Sequence, residues 1–339
     1  MKKGFLLLIC CMVAALLAKA QDNVYSQFFN APIYLNPALN GQFDGDLRIT
    51  ANYRNQWSSV GNLNYMNASV DYNIPKFNGG VGLMFNRSNE GAAAFVKNSI
   101  AGVYSYSIGS DDYTLSFGLQ AGITNRQVDY GKLIFGDQID PRLGYMPGSS
   151  SNAETPGYNS KYYFDSGFGI NLVTGNIMVG GAVQHLNRPD QSFTGTPSAV
   201  PMRFTAHASY RIDLNPYDNV DDIEKSYIIP SVVMYKQDYA NTISGGFEYK
   251  RKNISAGLWY RTDNQGGSNA IVVSLVFDLI FNRDTGEKMK FGLSHDASTS
   301  KIGYSNTSGT TEGSLSYQTP MTREQDYRYS GGPRCYHFY

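Results

Sequence analysis

YTLSFGLQAGIT, residues 113–124, alternates apolar and polar residues over its whole length. Its odd-numbered positions hold Tyr, Leu, Phe, Leu, Ala and Ile, and its even-numbered positions hold Thr, Ser, Gly, Gln, Gly and Thr. Because successive side chains of a β-strand point to opposite faces, this pattern predicts a strand with one apolar and one polar face. The polar face carries small uncharged residues, which suits a wet lumen better than a charged solvent surface.

Similar segments recur from about residue 46 to residue 317. The predicted strands are 46–57, 63–73, 79–88, 97–107, 113–125, 161–172, 175–185, 202–213, 226–237, 241–250, 253–262, 269–278, 288–297 and 310–318. Many have the length that a tilted strand needs to cross a bilayer. The sequence therefore predicts an all-β fold, a transmembrane antiparallel β-barrel of about fourteen strands.

The aromatic composition and the connections agree with a membrane barrel. The chain has 26 Tyr and 2 Trp, and Tyr at strand ends suits an interfacial girdle. The connections expected outside the cell include 126–160, 186–201, 262–269 and 297–310, whereas short stretches such as 173–176 and 251–253 fit periplasmic turns. The stretch 213–226 is long for a turn, and the sequence leaves its side open. A secreted β-sandwich or β-helix array is the alternative fold.

The first twenty residues have the pattern of a secretory signal peptide. Two lysines precede an apolar run, and an Ala-Lys-Ala site ends at residue 20. We expect a signal peptide at 1–20, an N-terminal plug or periplasmic segment at 21–45, an outer-membrane barrel at 46–318 and a C-terminal periplasmic tail at 319–339. Both ends of the mature chain are then expected in the periplasm.

The mature chain carries little net charge and one cysteine. Without Lys2, Lys3 and Lys19 it has 25 basic and 28 acidic residues, and no basic patch indicates nucleic acid. With Cys335 alone it has no internal disulfide. Neither the four histidines nor the acidic residues show metal-ligand spacing. Ser294, His295 and Asp296 alternate between faces and cannot act together. No catalytic, cofactor or metal site is predicted.

Six charged residues occupy strand positions whose neighbours are polar, and these are Arg48, Arg54, Asp71, Asp165, Arg203 and Arg211. A basic side chain that faces lipid near the bilayer midplane would destabilise the barrel by about 2–4 kcal/mol. These positions are therefore expected to face the lumen. Two interpretations remain. The charges either neutralise one another across a small lumen or line a substrate-selective pore.

Several motifs, taken in order, resemble the PorP/SprF family of outer-membrane proteins of the Bacteroidota type IX secretion system. They are 25–28 (YSQF), 34–38 (YLNPA), 53–57 (YRNQW), 135–141 (FGDQIDP), 184–189 (QHLNRP), 257–261 (GLWYR) and 312–317 (EGSLSY). The tail 334–338 (RCYHF) is similar to the family's terminal Cys-Pro-Arg-Phe, but Tyr336 follows Cys335 where the family has proline.

The resemblance implies a non-enzymatic barrel of the secretion and gliding machinery. Such a barrel serves export or surface attachment of large adhesins through their C-terminal domains, and it docks a periplasmic peptidoglycan-binding lipoprotein. The candidate partner-binding residues are Tyr25, Gln27, Phe28, Asn36, Pro37, His185, Leu186, Pro189, Arg334, Cys335 and Phe338. The rival functions are a passive porin or hydrophobic-solute channel, and a barrel enzyme such as an outer-membrane lipase or protease.

Overall fold

The alternating segments form a closed ring of antiparallel strands. The structure is a computed structural model, and it describes residues 22–338 apart from 62, 92–94, 153–157, 194, 216–224, 265–268, 283–286, 302 and 320–334. Within these residues the barrel has fourteen strands: β1 (Leu47–Gln56), β2 (Leu63–Ile74), β3 (Gly79–Glu90), β4 (Phe95–Gly109), β5 (Tyr113–Gln127), β6 (Ser160–Thr174), β7 (Ile177–Gln184), β8 (Arg203–Tyr210), β9 (Ser226–Gln237), β10 (Ala240–Arg251), β11 (Ile254–Asp263), β12 (Ala270–Asn282), β13 (Glu287–Ser298) and β14 (Thr310–Thr319).

Each strand pairs with its neighbours in the chain, and the first strand pairs with the last. Leu47 of β1 lies opposite Thr319 of β14, so the ring closes. Closure leaves no strand of the barrel with an unpaired edge, as a sheet in lipid requires. Every predicted strand has its counterpart. The largest difference is at β12, which continues past a bulge between Ile280 and Asn282.

The barrel is apolar outside and polar inside, the reverse of a soluble sheet. On β5, Leu119 and Ile123 are exposed, whereas Ser116 and Thr124 on the other face are buried. The alternation of residues 113–124 therefore falls on the two faces as the sequence predicts. A β-sandwich would bury the apolar face instead, and the closed ring rules that alternative out.

The two ends of the barrel differ in their connections. One end carries the connections 128–159 and 185–202, and we call it the long-loop end. The other carries 75–78, 110–112, 175–176 and 252–253, and we call it the turn end. The connection 211–225 also lies at the turn end, where Ile212–Asp213 extends the sheet along β9. Its residues 216–224 lie outside the described part of the chain.

The N-terminal segment, residues 22–46, passes through the lumen. It contains three short helical turns, Phe28–Asn30, Pro32–Leu35 and Pro37–Leu39. Its first residue, Asp22, contacts His185 at the long-loop end, whereas its last, Asp46, donates its N–H to Thr319 O at the turn end. The two ends of this segment therefore lie at opposite ends of the barrel.

The last described residues form a 3-10 turn, Cys335–Phe338, near the turn end. Cys335 Sγ lies 3.5 Å from Gln42 O of the N-terminal segment. Cys335 and Phe338 are buried in an apolar cluster with Leu35 and Leu39. Residues 320–334, which include Arg334, are outside the described residues. Among those described, no helix has the length and hydropathy that crossing a bilayer needs.

Candidate functional site in the barrel lumen

The lumen holds the N-terminal segment by its backbone as well as by its side chains. Ser26 N and Gln27 N donate to the two carboxylate oxygens of Glu312, at 2.8 and 2.9 Å. Gly41 N likewise donates to Asp71 Oδ2 at 2.8 Å. These are charge-assisted bonds, which are stronger than those between neutral groups. The carboxylates of the wall therefore fix the path of the segment.

Glu312 belongs to a buried network of two basic and two acidic side chains. Arg54 Nη1 lies 3.2 Å from both Glu312 and Asp296, and Arg261 Nη2 lies 2.7 Å from Asp296 Oδ2. The hydroxyl of Ser26 lies at the centre and donates to Asp296 Oδ2 at 2.7 Å. The formal charges cancel, which satisfies the requirement that buried ions be paired.

A second ion pair lies near the turn end. Arg48 and Asp71 are directly opposite on β1 and β2 and form a bidentate pair at 2.9 and 2.7 Å. The same guanidinium donates to Leu39 O at 3.1 Å and lies over the ring of Phe43. The pair therefore links two strands to the end of the N-terminal segment.

Arg203 makes its contacts with tyrosine. Its Nη1 donates to Tyr34 Oη at 2.7 Å, and its guanidinium lies 4.5 Å from the centre of the Tyr34 ring. Tyr34 packs edge-on against Tyr25 with ring centres 5.0 Å apart. A cation over a desolvated aromatic ring contributes about 2 kcal/mol, so Arg203 anchors the middle of the segment to β8.

Two glycines make room for the motif Asn36-Pro37-Ala38. A Cβ added to Gly118 would lie 2.2 Å from Ala38 N, and one added to Gly169 would lie 2.0 Å from Asn36 Oδ1. Asn36 Nδ2 donates to Ile170 O at 2.9 Å. The segment therefore lies directly on the backbone of β5 and β6, which only glycine permits.

Apolar side chains of the segment also pack against the wall. Phe28 packs edge-on against Trp259, with ring centres 4.9 Å apart. Phe29 and Leu35 belong to the same buried cluster, together with Val233 of β9. The segment thus combines polar and apolar contacts with the wall, and its aromatic residues have a packing role.

A charged group, the latch cluster, holds the start of the segment at the long-loop end. It consists of Asp22, Lys97, Asp165 and His185. His185 Nε2 lies 2.7 Å from Asp22 Oδ2, and its Nδ1 lies 2.8 Å from Asp165 Oδ2. Lys97 forms an ion pair with Asp22. His185 has a positive φ of 58°, which is uncommon for a residue other than glycine.

The contacts within the latch cluster shift the pKa values of His185 and Asp22. Burial by itself lowers the pKa of His185, but the carboxylates of Asp22 and Asp165 outweigh it and raise the pKa to about 9. Burial would raise the pKa of Asp22, but Lys97, His185 and Arg203 hold it well below its usual range. At neutral pH His185 is therefore a cation and Asp22 a carboxylate.

The structure brings most of the candidate residues into the lumen. Four of the six predicted lumen charges, Arg48, Arg54, Asp71 and Arg203, are fully buried. Asp165 is largely buried in the latch cluster. Arg211 is half-buried, and its guanidinium lies over the ring of Tyr227.

Most candidate partner-binding residues are also buried. These are Tyr25, Gln27, Phe28, Asn36, Pro37, His185, Pro189, Cys335 and Phe338. Leu186 is the exposed one among those described, with 44% of its surface accessible. A partner could therefore reach Leu186 directly, but it could reach the others only if the segment or the tail moved.

The predicted lumen charges do not include five charged residues of the site, namely Asp22, Lys97, Arg261, Asp296 and Glu312. Asp296 and Glu312 share a strand face with buried serines, for example Ser294 and Ser314. The alternation of polar and apolar residues, which predicts that Arg48 faces the lumen, also predicts that Asp296 and Glu312 face it. Asp22 precedes the strands, and no local pattern indicates its contact with His185.

The described residues contain no group of three or more His, Cys, Asp or Glu side chains that could hold a metal ion. Asp296 is buried in the lumen network, while the His295 ring contacts Tyr304 and Thr311. The two neighbours therefore lie on different faces, as the strand parity predicts.

Comparison with solved structures finds other barrels at low similarity. The Acinetobacter baumannii outer-membrane protein Omp33 is 8% identical, with 82% of this chain and 99% of that chain covered and a TM-score of 0.43. The TodX monoaromatic hydrocarbon channel (deltaS2 mutant) is 12% identical, with 86% and 94% covered and a TM-score of 0.45. Likenesses at this level carry no argument about function. No curated protein sequence matches the chain.

A family model gives a direct assignment. The model described as "Type IX secretion system membrane protein PorP/SprF" matches residues 17–317. This span includes the N-terminal segment and nearly the whole barrel, and it confirms the resemblance carried by the motifs. The chain belongs to the PorP/SprF family of type IX secretion system membrane proteins, and it is an outer-membrane β-barrel.

Proposed function

We propose that the protein is a non-enzymatic platform of the type IX secretion system, which serves the export or surface attachment of large adhesins through their C-terminal domains. The observation that carries this proposal is the occupied lumen. The N-terminal segment contacts the wall from Asp22 at one end to Asp46 at the other, so it acts as a plug. A plugged barrel of this size is better suited to holding partners than to passing solutes.

The long-loop end is the proposed site for the exported domain. The connection 128–159 contains a small hairpin, Ile139–Asp140 paired with Gly144–Tyr145. It exposes large apolar side chains, among them Leu143 at 76% and Tyr158 at 75%. Exposed apolar groups next to a short strand pair are suited to binding a β-rich domain through its strand edge.

The loop is held in shape by its own hydrogen bonds. The Asp137 carboxylate accepts from Ser151 Oγ and from Asn152 N, both at 2.7 Å. These bonds lower the pKa of Asp137, with the Ser151 hydroxyl as the main cause. A pre-ordered loop loses less conformational entropy on binding, which supports a role as a docking surface.

The turn end is the proposed site for a periplasmic, wall-binding lipoprotein. It carries the connection 211–225, the longest at this end, and the buried residues Cys335 and Phe338 lie just inside the barrel. Residues Cys335–Phe338 would then close the mouth of the barrel at the turn end, and the lipoprotein would contact the barrel surface around that mouth.

Affinity purification of the barrel from its native envelope in mild detergent, followed by mass spectrometry, tests the proposal. We expect to recover a large surface protein through its C-terminal domain or a wall-binding lipoprotein. Leu143→Ser with Tyr158→Ser should reduce recovery of the surface protein. Phe77→Ser is the control, because Phe77 is also exposed, at 63%, but lies in a connection at the turn end.

Recovery of the barrel alone would argue against the platform and favour a passive porin or hydrophobic-solute channel. Equal loss of the surface protein in Phe77→Ser and in the loop variant would show that the loop is not the docking site.

A further inference from the structure

We propose that the N-terminal segment is threaded through the barrel from end to end, so that the mature N-terminus emerges among the long connections on the cell surface. The inference rests on the outer-membrane placement of the barrel, but it does not depend on an adhesin partner. It would place the two termini of the mature protein on opposite sides of the membrane.

The contacts along the segment follow the barrel axis in order. Asp22 N donates to Gln237 Oε1 at 2.8 Å, at the long-loop end of β9. Asn36 bonds to Ile170 O in the middle of β6. Gln42 Nε2 donates to Ser107 Oγ at 2.7 Å, close to the turn end of β4. The segment therefore begins at one mouth of the barrel and ends at the other.

The orientation of the barrel follows from its connections. Outer-membrane barrels have short turns on the periplasmic side and longer loops outside. Most connections at the turn end are short, whereas the two longest of the chain, 128–159 and 185–202, lie at the long-loop end. Asp22 therefore lies on the outer side of the membrane.

The barrel has a cleft beside Asp22 at the long-loop end. Asp22 forms part of the wall of an open cleft, together with Glu90, Arg126 and Gln191. Gln191 belongs to the connection 185–202. The cleft therefore lies between the loops, away from the packed core around Phe28.

The contacts of the latch cluster explain why Asp22 lies at the long-loop end. Lys97 of β4 and His185 after β7 bind Asp22 from two sides, and Gln237 of β9 contacts it from a third. A carboxylate that is largely buried needs such partners, and these three lie at the long-loop end. Contacts with the wall therefore hold the segment at both of its ends, and not only at its junction with β1.

Cysteine labelling on intact cells tests the threading. A Gly-Cys-Gly insertion between Gln21 and Asp22 is made in a Cys335→Ser background, and it leaves the predicted cleavage site unchanged. Leu143→Cys in the connection 128–159 is the control for the outer side. Asp111→Cys in the turn 110–112 is the control for the periplasmic side. The probe is a membrane-impermeant polyethylene-glycol maleimide, and only the folded, heat-modifiable band is scored.

We expect the insertion to shift on the gel in intact cells, as Leu143→Cys does, while Asp111→Cys shifts only after the outer membrane is opened. Labelling of the insertion only in opened cells would overturn the proposal. Absence of labelling in both preparations would also overturn it, because the N-terminus would then lie inside the lumen. Neither result would exclude the platform, whose test is the recovery of partners.

Discussion

Glu312 shows how a single side chain can decide the contents of the lumen. Its carboxylate is fully buried, accepts two backbone N–H groups of the N-terminal segment and faces Arg54. Removing one partner from a buried ion network leaves the other without compensation, whereas an exposed ion pair contributes little. The stability of the segment is therefore expected to depend on this position.

We expect Glu312→Gln to lower the free energy of unfolding by about 3–5 kcal/mol, because Arg54 loses a buried counter-charge. Urea denaturation of the detergent-solubilised barrel measures the change. Asp111→Asn is the matched control, since Asp111 is an exposed carboxylate in the turn 110–112. A Glu312→Gln protein as stable as this control would contradict the role given to the network.

The latch cluster should make stability depend on pH. The folded pKa of His185 is raised to about 9, above its ordinary value of about 6.5. The added stability is thus fully present below about pH 6.5 and is lost as the pH rises through about 9. The charged groups around the ring are Asp22, Asp165, Lys97 and Arg203.

We expect the stability of the wild type to fall by about 3 kcal/mol between pH 6.5 and pH 9.5, and His185→Gln to remove most of this slope. Urea midpoints across the range provide the measurement, and His295→Gln serves as the control. An unchanged slope in His185→Gln would show that other groups cause the pH dependence.

Glycine positions decide whether the N-terminal segment can lie against the wall. We expect Gly118→Ala to displace the segment, because the new Cβ would lie 2.2 Å from Ala38 N. Overpacking of this kind costs about 1–3 kcal/mol or more. Gly245→Ala is the matched control, since its Cβ would meet nothing within 4 Å.

Limited proteolysis of residues 22–46 in the two variants measures the displacement. We expect faster cleavage of the segment in Gly118→Ala and a rate like that of the wild type in Gly245→Ala. Equal rates in the two variants would mean that the close approach at Gly118 does not hold the segment.

At the scale of elements, the strands could be predicted because their signal is local. Alternation along YTLSFGLQAGIT is enough to assign both faces of β5. The path of the N-terminal segment could not be predicted, because its contacts join residues far apart in sequence, such as Ser26 with Glu312 and Asp22 with His185. The alternation of side chains along β1 predicts that Arg54 faces the lumen, but it does not identify Asp296 and Arg261 as members of the same network.

At the scale of the whole molecule, the number of strands raises the question of what fills the barrel. Barrels of eight strands are filled by their own side chains, whereas those of sixteen to eighteen leave an aqueous channel. A barrel of fourteen strands lies between these cases. Here an additional piece of chain occupies the interior, held by the Glu312 network, by Asp71 and by the apolar cluster around Phe28.

Ion conductance in a planar lipid bilayer shows whether the N-terminal segment closes the lumen, when the wild type is compared with a variant that lacks residues 24–43. We expect the wild type to stay closed and the deletion variant to open a steady conductance, because the deletion removes the segment that fills the lumen. A wild type that conducts like an open porin, or a deletion variant that stays as closed as the wild type, would contradict it.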